Sequence, residues 1–338
     1  MTRIKVLVLT LIGVVVLSAG AVAWYWQHQV NAPLRLSEPT LFTVPDGASG
    51  HRVMAALRQQ QLTEVGKLSG KIWLKVGVDN HSLRAGTYEL HPGMTLQDAF
   101  RKISRGDEYQ FTISLIDGLT FKQWLKRLKD HEHIEFDLNE EKLSALKAQW
   151  PWPPANGLTS LEGMFLADTY HFTDQTKASI ILQRAMQALQ RFVDKHWPQR
   201  AAGGPLDNQY DALILASIIE KETAVPAERA RIAGVFINRL NTRMRLQTDP
   251  TVIYGIGSDY DGNITRAHLR QKTAYNTYVI RGLPPTPIAM AGRPAILAAL
   301  KPAQTEDLYF VARGDGSHQF SRTLAEHNQA VRKYQLNQ

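Results

Sequence analysis

Between Val6 and Trp26 the chain shows no alternation of polar and apolar positions. The run VLVLTLIGVVVLSAGAVAWYW carries no charge, and a helix needs roughly 20 apolar residues to cross hydrocarbon, so residues 6–26 are expected to form a transmembrane helix. Arg3 and Lys5 precede it, while Gln27, His28 and Gln29 follow it; that asymmetry places residues 1–5 in the cytoplasm. Trp24, Tyr25 and Trp26 would form an aromatic belt at the outer interface. Ala21-Val22-Ala23 also reads as a cleavage pattern. Signal h-regions span only about 7–15 residues, however, and this run is longer and ends in bulky rings, which favours a retained anchor. Either way the remaining chain lies outside the cytoplasm.

Residues 27–40 (QHQVNAPLRLSEPT) have no periodicity and two prolines, and are expected to be a tether. A unit then recurs. LFTVPDGAS leads into HRVMAALRQQQL, TYELHPGMT into LQDAFRKISRG, and FTISLIDGLT into FKQWLKRLKD. Each is a short β-rich run, a Gly-x-Ser/Thr turn and an amphipathic helix. Gly47, Gly93 and Gly118 supply the turns with backbone freedom. Ser49, Thr95 and Thr120 are placed as N-caps, and Thr120 with Gln123 has capping-box spacing. Three copies at unequal spacing do not make a solenoid. They predict a small α+β module over 41–111 and a related unit opening a second, mixed α+β domain over 112–338.

Within the second domain, 150–157 breaks any period and reads as a connection. A helix is expected over 177–195, with Ile180, Ile181, Met186, Leu189 and Phe192 on one face. Two further helices are expected over 209–224 and 226–241, the latter opened by Pro226. LYFVA at 308–312 reads as a strand.

Composition narrows the class. Hydrophobic residues at 44% and charged residues at 21% of 338 suit a globular protein with an added apolar segment. No cysteine is present, which removes disulfides, thiolate nucleophiles and Cys-ligated zinc. A formal charge of +8 favours polyanionic surroundings. The Lys122–Lys129 cluster reads as a solvated helix face without the interleaved aromatics that single-strand nucleic-acid binders use. There is no Gly-x-Ser-x-Gly elbow, Walker loop or His-Glu-x-x-His. His131 and His133 fall on different sides of a helix, and His318 and His327 read as surface or core histidines.

The chemistry is concentrated in 211–257. At helical spacing Glu222 continues the stripe of Leu215, Ile218 and Ile219, whereas Glu220 extends the row of Leu213 and Ala216. A carboxyl on a core-facing stripe, in the last helical turn, is disfavoured as an anion by desolvation and by the helix dipole. A carboxylic acid protonated near neutrality can donate to a glycosidic oxygen. Periodicity alone leaves open the alternative that Glu222 forms an ion pair with Arg229 or Arg239. Asp249, before Pro250, is expected to be extended and to serve as a turn former or a second carboxylate. Asn238, Gln247, Thr251, Tyr254, Tyr275 and Asn276 are hydrogen-bonding side chains suited to sugar hydroxyls and acetamides. The Gly-Leu-Pro-Pro loop at 282–285 could wall a cleft or simply connect.

These segments carry a resemblance. ASIIEKETA, VFINRL, MRLQTDPTVIYGIG, AYNTY and GLPP resemble the endolytic murein transglycosylases, the MltG/YceG family. LRAGTYEL, LEGMFLADTY and YFVARGDGSHQFSRTLAEHN resemble its other signatures, in order, over essentially the whole chain. Thr286, Ala291 and Ala167 depart from the family's Gly and Pro residues in loops. The resemblance implies a single-pass inner-membrane protein, N-terminus cytoplasmic, with a LysM-like domain before the catalytic one. It implies Glu222 as the catalytic glutamate, with Glu162 joining the residues above as substrate-binding. It further implies cleavage of the MurNAc–GlcNAc bond of nascent peptidoglycan strands to 1,6-anhydro ends, no metal or cofactor, and peptidoglycan synthases as partners. Two other readings are kept: an anchored glycan-binding scaffold, and a hydrolase pairing Glu222 with Glu162 or Asp249.

Overall fold

The computed structural model describes residues 2–76, 83–154 and 157–336; the connection read at 150–157 therefore lies partly outside the described residues. By compactness the chain divides into two units, 1–111 with 172–174, and 112–171 with 175–338.

The first unit begins with helix α1 (Thr2–Asn31). Its segment Leu7–Asn31 is long and apolar enough to cross a membrane, and Leu7, Leu9 and Leu17 are 72%, 68% and 75% exposed. The helix does not stop at Trp26. It runs on to Asn31, and Val30 and Leu34 are buried in the unit's core. The amide of Leu34 donates to the Met94 carbonyl at 2.6 Å and that of Arg35 to Leu62 at 2.9 Å. Residues 27–36 are thus helical or stitched to the unit, where the sequence predicted a tether. Two apolar residues four apart bury themselves, and two prolines in the same stretch obscure that spacing.

β1 (Thr40–Val44), α2 (Gly50–Gln59), α3 (Lys67–Val76), β2 (Gly86–Leu90) and α4 (Leu96–Arg105) complete the unit. β1 and β2 pair antiparallel, Phe42 opposite Tyr88. Alternation puts Phe42, Val44, Tyr88 and Leu90 inward, where they meet Leu57, Phe100 and Ile103. Ser49 caps α2, and Thr95 caps α4 in a capping box with Asp98.

The second unit opens within β3 (Phe111–Leu115), from Thr112 on, and continues with α5 (Phe121–Lys129), whose Thr120–Gln123 capping box forms as the spacing predicts. Gly47, Gly93 and Gly118 all have positive φ (65°, 86° and 70°), so the three turns are alike in backbone as well as sequence. β4 (Ile134–Glu135), α6 (Glu140–Ala148), β5 (Asp168–Phe172), β6 (Thr176–Lys177) and α7 (Ala178–His196) follow. β3 pairs with β5 and β4 with β6. α7 buries Ile181, Leu182, Ala185, Met186, Leu189 and Val193. Ile180 is 40% exposed, so the buried face is rotated from the predicted one.

α8 (Gln209–Glu222) is the centre of this unit. Every residue from Ala212 to Ile219 is buried. A helix apolar all round must be enclosed, and α9 (Arg229–Asn241), α10 (Asp249–Ile256) and α12 (Arg293–Leu300) pack around it, with α11 (Arg266–Arg270) beside α10. Pro226 opens a short 3-10 turn ahead of α9 instead of its first turn. α10 differs from the turn expected at Asp249-Pro250: Thr248 is the extended N-cap, and proline is tolerated in the first helical turn. The hairpin β7 (Tyr309–Ala312) and β8 (His318–Ser321), then α13 (Leu324–Gln335), complete the chain.

Candidate active site

Two carboxyl groups of the second unit are held where water is scarce. Glu222 is the last residue of α8; Thr223 turns extended behind it. The buried Thr248 hydroxyl donates to its Oε1. Burial raises the Glu222 pKa; the Thr248 hydroxyl opposes this, the Asp249 charge adds to it, and His318 and Arg239 oppose it. Asp249 itself accepts a 2.7 Å hydrogen bond from the Tyr278 phenol.

Among the described residues Glu222 has no ion-pair partner. Arg239 is buried and spends Nε on the Leu308 carbonyl (2.7 Å) and Nη1 on that of Leu246 (2.5 Å), so it acts on Glu222 through space. Arg229 faces Glu220 instead, at 3.7 Å. Glu220 Oε2 also accepts from the Gly292 amide at 2.8 Å. The two glutamates are therefore separated by their partners. The helix face that distinguished them in the sequence does not, because α8 is buried on every face from Ala212 to Ile219 and both glutamates beyond it are half-buried.

Glu162 is 4% exposed. Its Oε1 accepts from the Phe121 amide at 2.9 Å, at the start of α5, and its Oε2 from the Tyr254 phenol at 3.3 Å. Burial still outweighs these donors and pushes its carboxyl up to about 7. Glu162 lines a cleft of about 790 Å3 together with Gln123, Lys221, Pro250, Tyr254 and Tyr260, a volume within the usual range for a ligand site. Glu222 is not part of that lining. Its chain neighbour Lys221 is, and so is Pro250, two residues beyond its partner Thr248.

Residues 42–333 match the sequence profile of the YceG-like family. The chain belongs to the YceG-like family. Its relatives include the endolytic murein transglycosylase of Bacillus subtilis, 31% identical over 305 residues, covering 86% of this chain and 83% of that protein. The endolytic murein transglycosylase of Streptococcus pneumoniae is 24% identical over an alignment covering 98% of this chain and 66% of its own length. The crystal structure of a YceG-like protein from Listeria monocytogenes matches with a TM-score of 0.57 at 29% identity, covering 87% of this chain and 99% of that one.

The remaining expected site residues of this YceG-like chain divide into two groups. Tyr254 and Tyr275 stay near Glu162, their ring centres 5.0 Å apart, with Tyr275 Oη 2.8 Å from Thr286 Oγ1. Gln247 is exposed, its backbone N–H donating to the Thr277 carbonyl. Asn238, Thr251 and Asn276 were expected to face substrate, and the structure gives them framework bonds instead. Asn238 donates to the carbonyls of Thr305 and Asp307 (2.7 and 3.0 Å), fixing the approach to β7. Thr251 is fully buried and donates to the Thr248 carbonyl. Asn276, 1% exposed, donates to the carbonyls of His268 and Gln271. A buried polar side chain takes whichever partner lies nearest, and here that is backbone.

Thr248, Tyr278 and the His318–Glu228 pair near Glu222 were not among the expected site residues. His318 Nδ1 lies 2.7 Å from Glu228 Oε2, and its amide donates to Oε1 at 2.9 Å. That pair joins residues 90 apart in sequence, a relation no local spacing carries. Thr248 and Tyr278 stand inside the segments LQTDPTVIYG and AYNTY that the sequence does single out.

Proposed function

We propose that this protein is an endolytic lytic transglycosylase of peptidoglycan. On this reading it is a single-pass inner-membrane protein with a cytoplasmic N-terminus, a LysM-like first unit and a catalytic second unit, working beside the synthases that make the strands. The curated relatives carry that activity in their names. The observation that supports the chemistry is a Glu222 carboxyl with a raised pKa, met by a neutral hydroxyl instead of a cation.

The Glu222 acid protonates the oxygen between N-acetylmuramic acid C1 and N-acetylglucosamine as the C1–O bond breaks. The carboxylate left behind takes the proton of the muramic acid 6-hydroxyl, and O6 closes on C1 to give a 1,6-anhydro end. Proton and electron pair balance without added water. The Thr248 hydroxyl donates to the carboxylate form, and the Asp249 charge favours positive charge developing at C1. Mass spectrometry of digested glycan tests this: new anhydro ends are expected, and water-added reducing ends would reject the mechanism. Glu222→Gln should lower the rate by 10²-fold or more, roughly the contribution of a positioned acid.

A second reading has its own support, since Glu162 lines the cleft and titrates at about 7. There Glu162 is the acid and Glu222 an electrostatic partner. Glu162→Gln would then abolish activity while Glu222→Gln only weakened it; the first reading expects the opposite order.

A further inference from the structure

A second cavity lies in the first unit, between α2 and α3. It holds about 430 Å3, and His51, Arg58, Lys67 and Lys71 line it with Met54 and Leu74; among the described residues, no carboxylate does. Arg58 Nη1 is shielded from solvent and, among the described residues, has no hydrogen-bond partner. Among the described residues, none of the four basic side chains pairs with an acid. Gly70 makes the room: a Cβ there would lie 3.3 Å from Arg58 Nη1 and 3.4 Å from Met54 Cγ. A desolvated guanidinium donor beside two ammonium groups lacks only an anion, and a phosphate's oxygens suit that set.

α3 shows where that anion comes from. At 100° per residue, Gly70, Trp73 and Leu74 turn inward, and Lys67, Lys71 and Lys75 form one outward stripe. Leu68 and Ile72, 73% and 44% exposed, form the next stripe. Ser69 follows, its carbonyl accepting a 3.2 Å hydrogen bond from Trp26 Nε1. Trp26 is the last residue of the uncharged run in α1. α3 is therefore fastened at the level where α1 ceases to be purely apolar, with bare leucine and isoleucine between its lysines and that fastening.

We propose that the α2–α3 face rests on the bilayer that α1 enters and holds the phosphate of an anionic phospholipid in the Arg58–Lys71 groove. Leu68 and Ile72 then reach the acyl-chain boundary, as apolar residues of interfacial helices do. This rests on the reading of α1 as a membrane anchor. A free anion would account for the cations but leave the apolar stripe beside them without a role.

The chain has no cysteine, so single thiols can be placed at will. Leu17→Cys, Leu68→Cys and Leu324→Cys, spin-labelled in the full-length protein in phosphatidylcholine nanodiscs with phosphatidylglycerol, are compared for collision with oxygen and with a nickel chelate. The Leu17 label should meet oxygen, the Leu324 label nickel, and the Leu68 label should be shielded from nickel. Native mass spectrometry of the same protein should show phosphatidylglycerol retained over phosphatidylcholine. Arg58→Ala and Lys71→Ala should each weaken retention about fivefold, the worth of one cation at an anionic surface. Leu68→Glu, at a site too exposed to disturb folding, should restore nickel access to a label at Ile72→Cys.

A Leu68 label as wet as that at Leu324, with Leu17 still in lipid, overturns the proposal and leaves the anchor standing. A wet Leu17 label removes the anchor reading itself. Equal retention of both lipids, or inorganic phosphate retained with the same sensitivity to Arg58→Ala and no lipid preference, makes the groove a free-anion site and overturns the lipid assignment.

Discussion

Helices α1 and α8 are both apolar around their whole circumference, yet one is bare and the other enclosed. Side chains of α1 such as Leu9 and Leu17 are about two-thirds to three-quarters exposed, while Leu215, Ile218 and Ile219 of α8 are fully buried. Apolar character on every face states only that water is excluded; what excludes it, lipid or protein, depends on length and context. α1 has 30 residues, α8 only 14. The ends differ as well. α1 finishes in an aromatic cluster and runs into a folded core, whereas α8 finishes in a carboxyl group. Burying a helix in protein is what makes a terminal acid unusual, because the same packing that stabilises α8 strips water from Glu222.

The sharpest way to break this comparison is one substitution made in both helices. Ile218→Asp leaves an unpaired charge in the second unit and should destabilise it by more than roughly 4 kcal/mol, seen as lost proteolytic resistance. Val15→Asp should leave proteolytic resistance intact but hinder membrane integration by about 3 kcal/mol, read by alkaline extraction. Equal behaviour would mean that α1 is a packed helix.

Next in size is the pH dependence of the second unit. Glu162 ionises near 4.5 when unfolded and at about 7 when folded. Stability from its protonated form is present below pH 4.5 and is lost as pH rises to 7, about 3 kcal/mol in all. Urea titrations should show that decline in the wild type and a flatter profile in Glu162→Gln. Smaller is the effect of Thr248→Val, which removes a donor that holds the Glu222 pKa down; the alkaline limb of activity should move to higher pH. Smallest is Leu17→Ala, within about 0.5 kcal/mol in denaturation of the detergent-solubilised protein, because the side chain touches no core.

Much of this was legible in the sequence. The Gly-x-Ser/Thr turns announced three capped helices, and the uncharged run announced α1, because each signal sits within a few residues of its consequence. α10 was hidden because Asp-Pro reads as a break, although a proline in the first turn is as good as any residue. The rotated face of α7 reflects Ile180 and Phe192 being apolar without being inside. Glu222 was singled out by a stripe that the fold does not have; its raised pKa comes from desolvation at the packed end of α8, with the Asp249 charge adding to it. Its neighbours Thr248, Tyr278 and His318 arrive from other elements, and only tertiary packing brings them close.

The unbroken passage from Trp26 to Val30 has a mechanical side. Four helical residues span about 6 Å, and both ends are engaged, by Ser69 and by the buried core. One extra residue inserted there would lengthen the passage by only about 1.5 Å, but it would spin α1 by about 100° against its own domain. The joint behaves as a keyed shaft and not as a rope, so its length is set by register.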